Sequence, residues 1–200
     1  MSRLQRIALL RHGQTEGNSR ERFHGAGDVA LSREGQAEMR AAGAALAREW
    51  FDLVVASPLQ RSWQGAVIVT GGSAPVRIEP EFREVHFGRW EGLTAKEIEE
   101  QDPILYREWQ EGRDFVFPGG ERRSDFQARV ECGLARVLAT GARSALLVLH
   151  KGPIRAIARK LVGEALPPGQ PALAECLFLA RSAAGRWHLG LRGSNPPGLG

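Results

Sequence analysis

Three short apolar runs recur along the chain, at residues 7–10, 53–56 and 145–149, and polar residues bound each of them. Runs of this length are typical of buried strands. After each run, apolar side chains return at helical spacing, and parallel neighbours in a sheet need such crossovers. The pattern therefore predicts an α/β fold in which a mostly parallel sheet carries helices on both faces.

The intervening segments predict the remaining elements. Ser32 is a favourable N-cap for a helix that runs to about Arg48. We expect this helix to pack close to the sheet through small side chains at helical spacing, namely Ala37, Ala41, Ala44 and Ala45. Pro58 and Pro153 are expected at the starts of two further helices. Other expected elements are an edge strand within 75–80, helices at 94–101 and 103–110, a helix with apolar residues from 126 to 138, and antiparallel strands at 177–180 and 187–191.

Length and composition indicate one domain. Two hundred residues can bury a core, which we expect over residues 1–192, with a flexible Gly- and Pro-rich tail at 193–200. No run reaches the length of a membrane span, and the first apolar stretch is too short for a signal-peptide core, so a soluble cytoplasmic protein without a membrane partner is expected. Cys132 and Cys176 have neither disulfide nor metal-ligand spacing and are expected to be buried thiols.

The charge pattern does not indicate a nucleic-acid partner. The formal net charge is +4, and 24 of the 27 basic residues are Arg. They are spread along the whole chain, whereas a nucleic-acid-binding module gathers its basic residues on one face. No pair of histidines has the spacing of a zinc site, so no metal site is expected either.

The first strand ends in Arg11-His12-Gly13, which is a candidate for half of a phosphate pocket. The carboxyl end of a strand in an open α/β sheet is where ligands usually bind. Arg11 offers a planar fork for phosphate oxygens, and the neutral imidazole of His12 can attack phosphorus. Gly13 is expected to let the backbone approach the ligand closely. A lone Arg-His-Gly tripeptide is more often an ordinary structural feature, so the hypothesis needs partners elsewhere.

The other two apolar runs supply those partners. Arg61 follows the second strand and His150 follows the third, and the carboxyl ends of parallel strands meet in one crevice. Helix N-termini at the same edge direct backbone amides at an anion. In the loop between these strands, Glu84 is the candidate carboxylate for a proton donor opposite the nucleophile. Together these groups predict a site for a dianion.

These motifs in this order resemble the histidine phosphatase superfamily, the phosphoglycerate mutase-like proteins, and within it the phosphatase branch. The matching segments are Arg-His-Gly-Gln-Thr at 11–15, Ser-Pro-Leu-Gln-Arg at 57–61, Glu84 with Phe-Gly-Arg-Trp-Glu-Gly at 87–92, Pro-Gly-Gly-Glu at 118–121, and His150. The resemblance implies a three-layer α/β/α fold with a mixed sheet and neither metal nor organic cofactor. It also implies that His12 is the nucleophile, Glu84 the proton donor, and Arg11, Arg61 and His150 the phosphate clamp.

The same resemblance implies further substrate contacts. Thr15, Asn18, His24 and Gly25 match positions at which relatives touch the phosphate or the rest of the substrate, although His24 replaces the more common glutamine. Ordinary loop roles for these four residues remain an open alternative.

Two positions depart from the family pattern. Gly65 stands where relatives often have threonine, and Lys151 stands where the family usually has glycine after the second histidine. The Lys151 side chain either turns into the phosphate crevice or carries its charge outward to water. If it turns inward, we expect it to favour substrates with a second anionic group.

The sequence therefore predicts a histidine acid-type phosphatase, a phosphomonoesterase that hydrolyses a small phosphate ester and releases inorganic phosphate. A first alternative is a cofactor-dependent phosphoglycerate mutase, which uses the same chemistry but returns the phosphoryl group. A second is a regulator that binds a phosphorylated ligand without turnover. The identity of the ester and the oligomeric state stay open at this stage.

Overall fold

Six strands form one mixed sheet in the computed structural model, which describes residues 3–18, 20–112 and 114–190. In chain order they are β1 (Arg6–Arg11), β2 (Leu53–Ala56), β3 (Val76–Ile78), β4 (Ser144–Leu149), β5 (Cys176–Arg181) and β6 (Trp187–Gly190). Their order across the sheet is β3-β2-β4-β1-β5-β6, in which the first four are parallel and the last two antiparallel. The predicted mostly parallel mixed sheet is confirmed. The expected tail at 193–200 lies outside the described residues.

The described helices cover both faces of this sheet. They are α1 (Arg33–Leu46), α2 (Gln60–Val69), α3 (Ala95–Gln101), α4 (Pro103–Gln110), α5 (Arg123–Leu138) and α6 (Lys151–Val162), with short 3₁₀ turns at Pro80–Phe82 and Gly88–Trp90. Alternate residues of a strand point to opposite faces. Accordingly, Ile7 and Leu9 join the core under α5 and α6, whereas Ala8 and Leu10 join the core under α1 and α2. The result is the expected three-layer sandwich.

The segment between β3 and α5 adds an aromatic cluster above the first of these cores. Trp90 is fully buried at its centre and stacks on Phe115 at a centroid distance of 5.5 Å. Its indole Nε1 donates a hydrogen bond of 2.7 Å to Asp102, and Thr94 caps α3 through a capping box. This segment therefore folds as a packed cap next to the carboxyl edge of the sheet.

Several local predictions are wrong. The four alanines of α1 are exposed, and the helix is buried through Gly35, Met39 and Leu46 instead. A stripe of small residues satisfies helical spacing on either face, and the larger Met39 and Leu46 gain more from burial. Helices α2 and α6 begin at Gln60 and Lys151 rather than at the prolines.

Side-chain exposure also departs from the predictions. Cys132 is exposed and Cys176 is partly exposed, so neither is a buried thiol. Trp50 and Trp63 are exposed by 69% and 37%. Within the described ranges, each helix is too short or too polar to cross a membrane.

Two glycines allow the chain after β1 to lie directly on α1. A Cβ on Gly13 would come within 2.5 Å of the Gly35 carbonyl oxygen, and a Cβ on Gly35 would overlap the Gln14 carbonyl oxygen. Gly13 therefore serves the contact with α1. This contact fixes the backbone that carries His12.

We expect Gly35→Ala to lower the free energy of unfolding by about 3 kcal/mol, because its new methyl group would meet rigid backbone. Gly65→Ala is the matched control in α2: its Cβ would meet the flexible end of Met39 at 3.1 Å, and alanine is the better helix former. That variant should stay within about 1 kcal/mol of the parent. Urea denaturation of both variants measures the difference, and equal midpoints would contradict the proposed contact.

Candidate active site

Four of the five predicted catalytic residues line one cavity of about 1000 Å³ at the carboxyl edge of the sheet. Arg11 and His12 come from the end of β1, Arg61 from the first turn of α2, and Glu84 from the loop after the Pro80–Phe82 turn. The convergence follows from topology, because β1, β2 and β4 are parallel neighbours and their carboxyl ends share one edge.

His12 is held as a neutral imidazole with one nitrogen available. Its Nδ1 lies 2.7 Å from the Gly13 carbonyl oxygen, which can only accept, so Nδ1 carries the proton and Nε2 keeps its lone pair. Burial, together with the positive charges of Arg61 and Arg11, holds the pKa of His12 well below its usual value. The ring is 5% exposed. This is the state that a nitrogen nucleophile requires.

The guanidinium group of Arg61 is buried and held on three sides. Its two terminal nitrogens donate hydrogen bonds of 2.6 Å to the carbonyl oxygens of Gly25 and Gly27, and its Nε donates to His150 Nδ1 at 3.2 Å. Each terminal nitrogen keeps one further N–H, since a guanidinium group has five donors. Arg61 can therefore offer a fork to an anion in the cavity without rearrangement.

His150 lies behind Arg61 and is fully buried. Because its Nδ1 accepts from Arg61, the neutral ring carries its proton on Nε2, which lies 2.8 Å from Ser57 Oγ. Burial and the nearby Arg61 hold the pKa of His150 well below its usual value. Both ring nitrogens thus face protein groups, and in this structure His150 orients Arg61 instead of facing the cavity.

Arg11 has N–H groups that make no hydrogen bond within the described residues. One terminal nitrogen donates to the Pro171 carbonyl oxygen at 2.9 Å, while the buried Nε has no hydrogen-bond partner among the described residues. Leaving such a buried donor unsatisfied is costly. An anion between Arg11 and Arg61 would satisfy it, so the arrangement fits a phosphate group.

Comparison with known proteins identifies the family to which this site belongs. The family model of the histidine phosphatase superfamily (branch 1) matches residues 7–175. The chain belongs to this superfamily.

Relatives of this chain carry different names. A glucosyl-3-phosphoglycerate phosphatase of Mycolicibacterium vanbaalenii is 36% identical over 171 residues, which are 80% of this chain and 76% of that protein. A bifunctional protein of Mycobacterium tuberculosis is 39% identical over 158 residues, 77% of this chain, but the chain spans only 43% of its length. The solved structure of the alpha-ribazole phosphatase from Shigella flexneri matches with a TM-score of 0.79 at 26% identity, covering 98% of this chain and 99% of that one.

Two backbone amides hold the carboxylate of Glu84. Val85 donates to its Oε1 at 2.9 Å, and Gly152, in the first turn of α6, donates to its Oε2 at 3.1 Å. A Cβ on Gly152 would overlap Oε1. Burial lowers the pKa of Arg11 and of Arg61, and the nearby Glu84 carboxylate opposes that lowering in both.

Arg129 of α5, which the sequence did not single out, fixes the loop that carries Glu84. It donates to the carbonyl oxygens of Glu81, Arg83 and Glu84 at 2.7, 2.8 and 3.0 Å, and it forms a bidentate ion pair with Glu121 at 2.7 and 3.0 Å. The Glu121 carboxylate also accepts from the His86 amide at 2.8 Å. The one available signal was Glu121 in the Pro-Gly-Gly-Glu motif, which gave no hint of its partner.

The remaining predicted contacts divide into two groups. His24, Gly25 and Lys151 line the cavity. Thr15 is buried and pairs with Leu31 in a β-bridge, and Asn18 is exposed with its side-chain oxygen directed at Gln14. Neither Thr15 nor Asn18 is among the described residues that line the cavity.

Across the described residues, no group of three or more His, Cys, Asp and Glu side chains could hold a metal ion.

The two neutral histidines predict how stability depends on pH. The unfolded chain takes up protons as pH falls through about 6.5, whereas the lowered pKa values keep His12 and His150 unprotonated in the folded state. The free energy of unfolding should therefore fall as pH decreases below about 6.5, with each histidine contributing a slope of up to about 1.4 kcal/mol per pH unit.

Urea denaturation between about pH 7.5 and pH 5.5 measures this slope. His150→Gln should reduce it by the share of one histidine, because the amide can still accept from Arg61 and donate to Ser57 but does not titrate. His188→Gln, at an exposed position, is the control and should leave the slope nearly unchanged. A slope that is the same in all three proteins would show that His150 does not resist protonation.

Proposed function

We propose that this protein is a phosphomonoesterase that hydrolyses a small phosphate ester through a phosphohistidine intermediate on His12. The observation that carries the proposal is the buried neutral imidazole of His12, whose Nε2 keeps its lone pair and which lines the same cavity as Arg11, Arg61 and Glu84. Phosphoryl transfer needs positioning and positive charge around the equatorial oxygens more than it needs covalent chemistry. The family membership supports the same reaction.

In the first step, the Nε2 lone pair of His12 attacks phosphorus and the bond from phosphorus to the ester oxygen breaks. Arg11 and Arg61 stabilise the charge on the equatorial oxygens through their remaining N–H groups. Glu84 enters this step as the carboxylic acid and gives its proton to the leaving oxygen, which departs as an alcohol. The products are phosphorylated His12 and the Glu84 carboxylate.

In the second step, water attacks the phosphorus atom of phosphohistidine. The Glu84 carboxylate takes a proton from this water, the bond from nitrogen to phosphorus breaks, and its electron pair returns to His12. Inorganic phosphate leaves, and both groups regain their starting protonation states. Each residue therefore acts twice in one cycle.

The acid-type character that the sequence suggested follows from the state of His12. Its lowered pKa keeps the nucleophile unprotonated well below pH 6.5. The acidic limb of the rate profile that reports this nucleophile should accordingly lie below that pH. Hydrolysis is favoured over a mutase reaction because relatives that match most of this chain are named as phosphatases.

His12→Ala should abolish turnover of phosphate esters in the presence of a metal chelator, because no other group supplies the nucleophile. Glu84→Gln should slow phenyl phosphate hydrolysis by about 10²- to 10⁴-fold. With 2,4-dinitrophenyl phosphate, whose leaving group needs no proton, the same variant should still phosphorylate His12 and then stall. Intact-mass spectrometry detects the trapped adduct, and phosphate release measures turnover.

His86→Ala, at an exposed position, is the control for losing a histidine and should behave as the parent does. Substantial turnover by the His12→Ala protein would contradict the mechanism. Bisphosphate-primed interconversion of 2- and 3-phosphoglycerate would point to a mutase instead. Binding of esters without phosphate release from any of a broad panel would point to a regulator.

Arg129 should act as a positioning residue for Glu84. We expect Arg129→Met to lower kcat for phenyl phosphate by about tenfold to a hundredfold, since small displacements of a catalytic group are costly. With 2,4-dinitrophenyl phosphate the loss should be much smaller, because that leaving group does not need the acid. Arg136→Met is the matched control, since Arg136 lies on the same helix and holds Glu79 at 2.6 and 3.0 Å. Equal losses with both esters would reduce Arg129 to a structural role.

A further inference from the structure

One wall of the cavity is a row of cations on α6. Lys151, Arg155 and Arg159 recur every four residues and all line it. Side chains at this spacing share one face of a helix, and the row runs for about 12 Å along the helix from the phosphate pocket outward. The wall is therefore basic well beyond the groups that the proposed phosphoryl transfer requires.

Of this row, Lys151 is the residue nearest to the phosphate pocket. It is the first residue of α6, directly after His150, and its side chain is half-buried. Burial and the neighbouring Arg11 and Arg155 lower its pKa, and the Glu84 carboxylate opposes that lowering, so its ammonium group lies near two cations and one carboxylate. No ion pair or hydrogen bond joins it to another of the described residues. Of the two orientations that the sequence left open, the structure has the inward one.

Arg155 differs from Lys151 because it is already engaged. It donates to the carbonyl oxygens of Leu166, Pro167 and Gln170 at 3.0, 2.9 and 2.8 Å, which holds the loop after α6 against the cavity. Arg155 therefore contributes a fixed charge, while the Lys151 ammonium retains all three donors for a ligand.

The opposite side of the cavity is aromatic. Phe23, Phe87 and Trp109 line it and pack edge to face, with centroid distances of 5.1 Å from Phe23 to Phe87 and 5.7 Å from Phe23 to Trp109. An aromatic wall offers contact area to the carbon skeleton of an ester but no partner for a charge. Three other arginines that line the cavity are already engaged: Arg20 pairs with Glu34 and Glu38, Arg22 pairs with Glu97, and Arg123 donates to the Trp109 carbonyl oxygen. A second anionic group on the ester would therefore be drawn to the α6 wall.

We infer that Lys151 forms a second anion subsite beside the phosphate pocket, so that the preferred substrates are phosphate esters carrying a carboxylate or another acidic group close to the ester carbon. The inference rests on the proposed function for the placement of the phosphate, and it adds the class of ester. An anion there would take the three unused donors of Lys151 and relieve its repulsion from Arg11 and Arg155.

Non-hydrolysable phosphonates test the subsite without relying on turnover. Titration calorimetry at low ionic strength should show that 3-phosphonopropanoate binds about tenfold more tightly than propylphosphonate, as expected for one charge-assisted hydrogen bond. Lys151→Met, which keeps the apolar stem, should reduce this ratio to about one while leaving the affinity for propylphosphonate nearly unchanged. Phenyl phosphate hydrolysis, measured alongside, reports separately on the proposed function.

Lys96→Met is the matched control, because it removes the same charge from an exposed site on α3 whose side chain is 84% exposed. It should keep the tenfold ratio, since it changes the net charge by the same amount but removes no group that lines the cavity. Three results would overturn the assignment to Lys151. The affinity ratio of the two phosphonates could be near one in the parent, it could survive Lys151→Met, or it could be lost in Arg159→Gln instead. If neither phosphonate binds, the phosphate pocket itself is contradicted and the proposed function falls with it.

Discussion

The arrangement of the site depends on the buried guanidinium group of Arg61. Among the described residues, no carboxylate forms an ion pair with this group, and its hydrogen bonds go to other acceptors. Two carbonyl oxygens of the 25–27 loop and the ring of His150 take three of its five donors. One side chain thus joins the loop after β1, the start of α2 and the end of β4. Burying such a cation is costly unless it is compensated, and a bound phosphate group would supply the compensating charge.

Burial together with this cation explains why both histidines are neutral. His12 and His150 lie edge to face with ring centroids 5.1 Å apart, between Arg61 and Arg11. A protonated imidazole there would add a third positive charge in a buried space. One hydrogen bond fixes the tautomer of each neutral ring. The Gly13 carbonyl oxygen accepts from Nδ1 of His12, and Arg61 Nε donates to Nδ1 of His150. Positive charge therefore remains on the arginines, where it faces the substrate.

The sequence predicted the parts of this site that depend on strand order and failed on those that depend on packing. Apolar runs identify β1, β2 and β4, and parallel pairing then brings His12 and Arg61 to one edge. Which face of α1 is buried could not be predicted, because alanine fits either side of a helix. The partners of Arg129 could not be predicted either, since they are mostly backbone carbonyl oxygens, which every residue type carries.

The proposed contacts to the ester also divide into those set by strand order and those set by packing. The groups proposed to hold the phosphate come from the sheet edge, whereas the carbon skeleton would meet the aromatic cap and α6. The two parts are not independent, because the segment between β3 and α5 carries both Glu84 and the aromatic residue Phe87, and Arg129 and Glu121 fasten it to α5. A change in the cap that admits a different ester would also move the acid, whereas a change at Lys151 would not disturb the loop. Specificity in this fold is therefore easier to alter from α6 than from the cap.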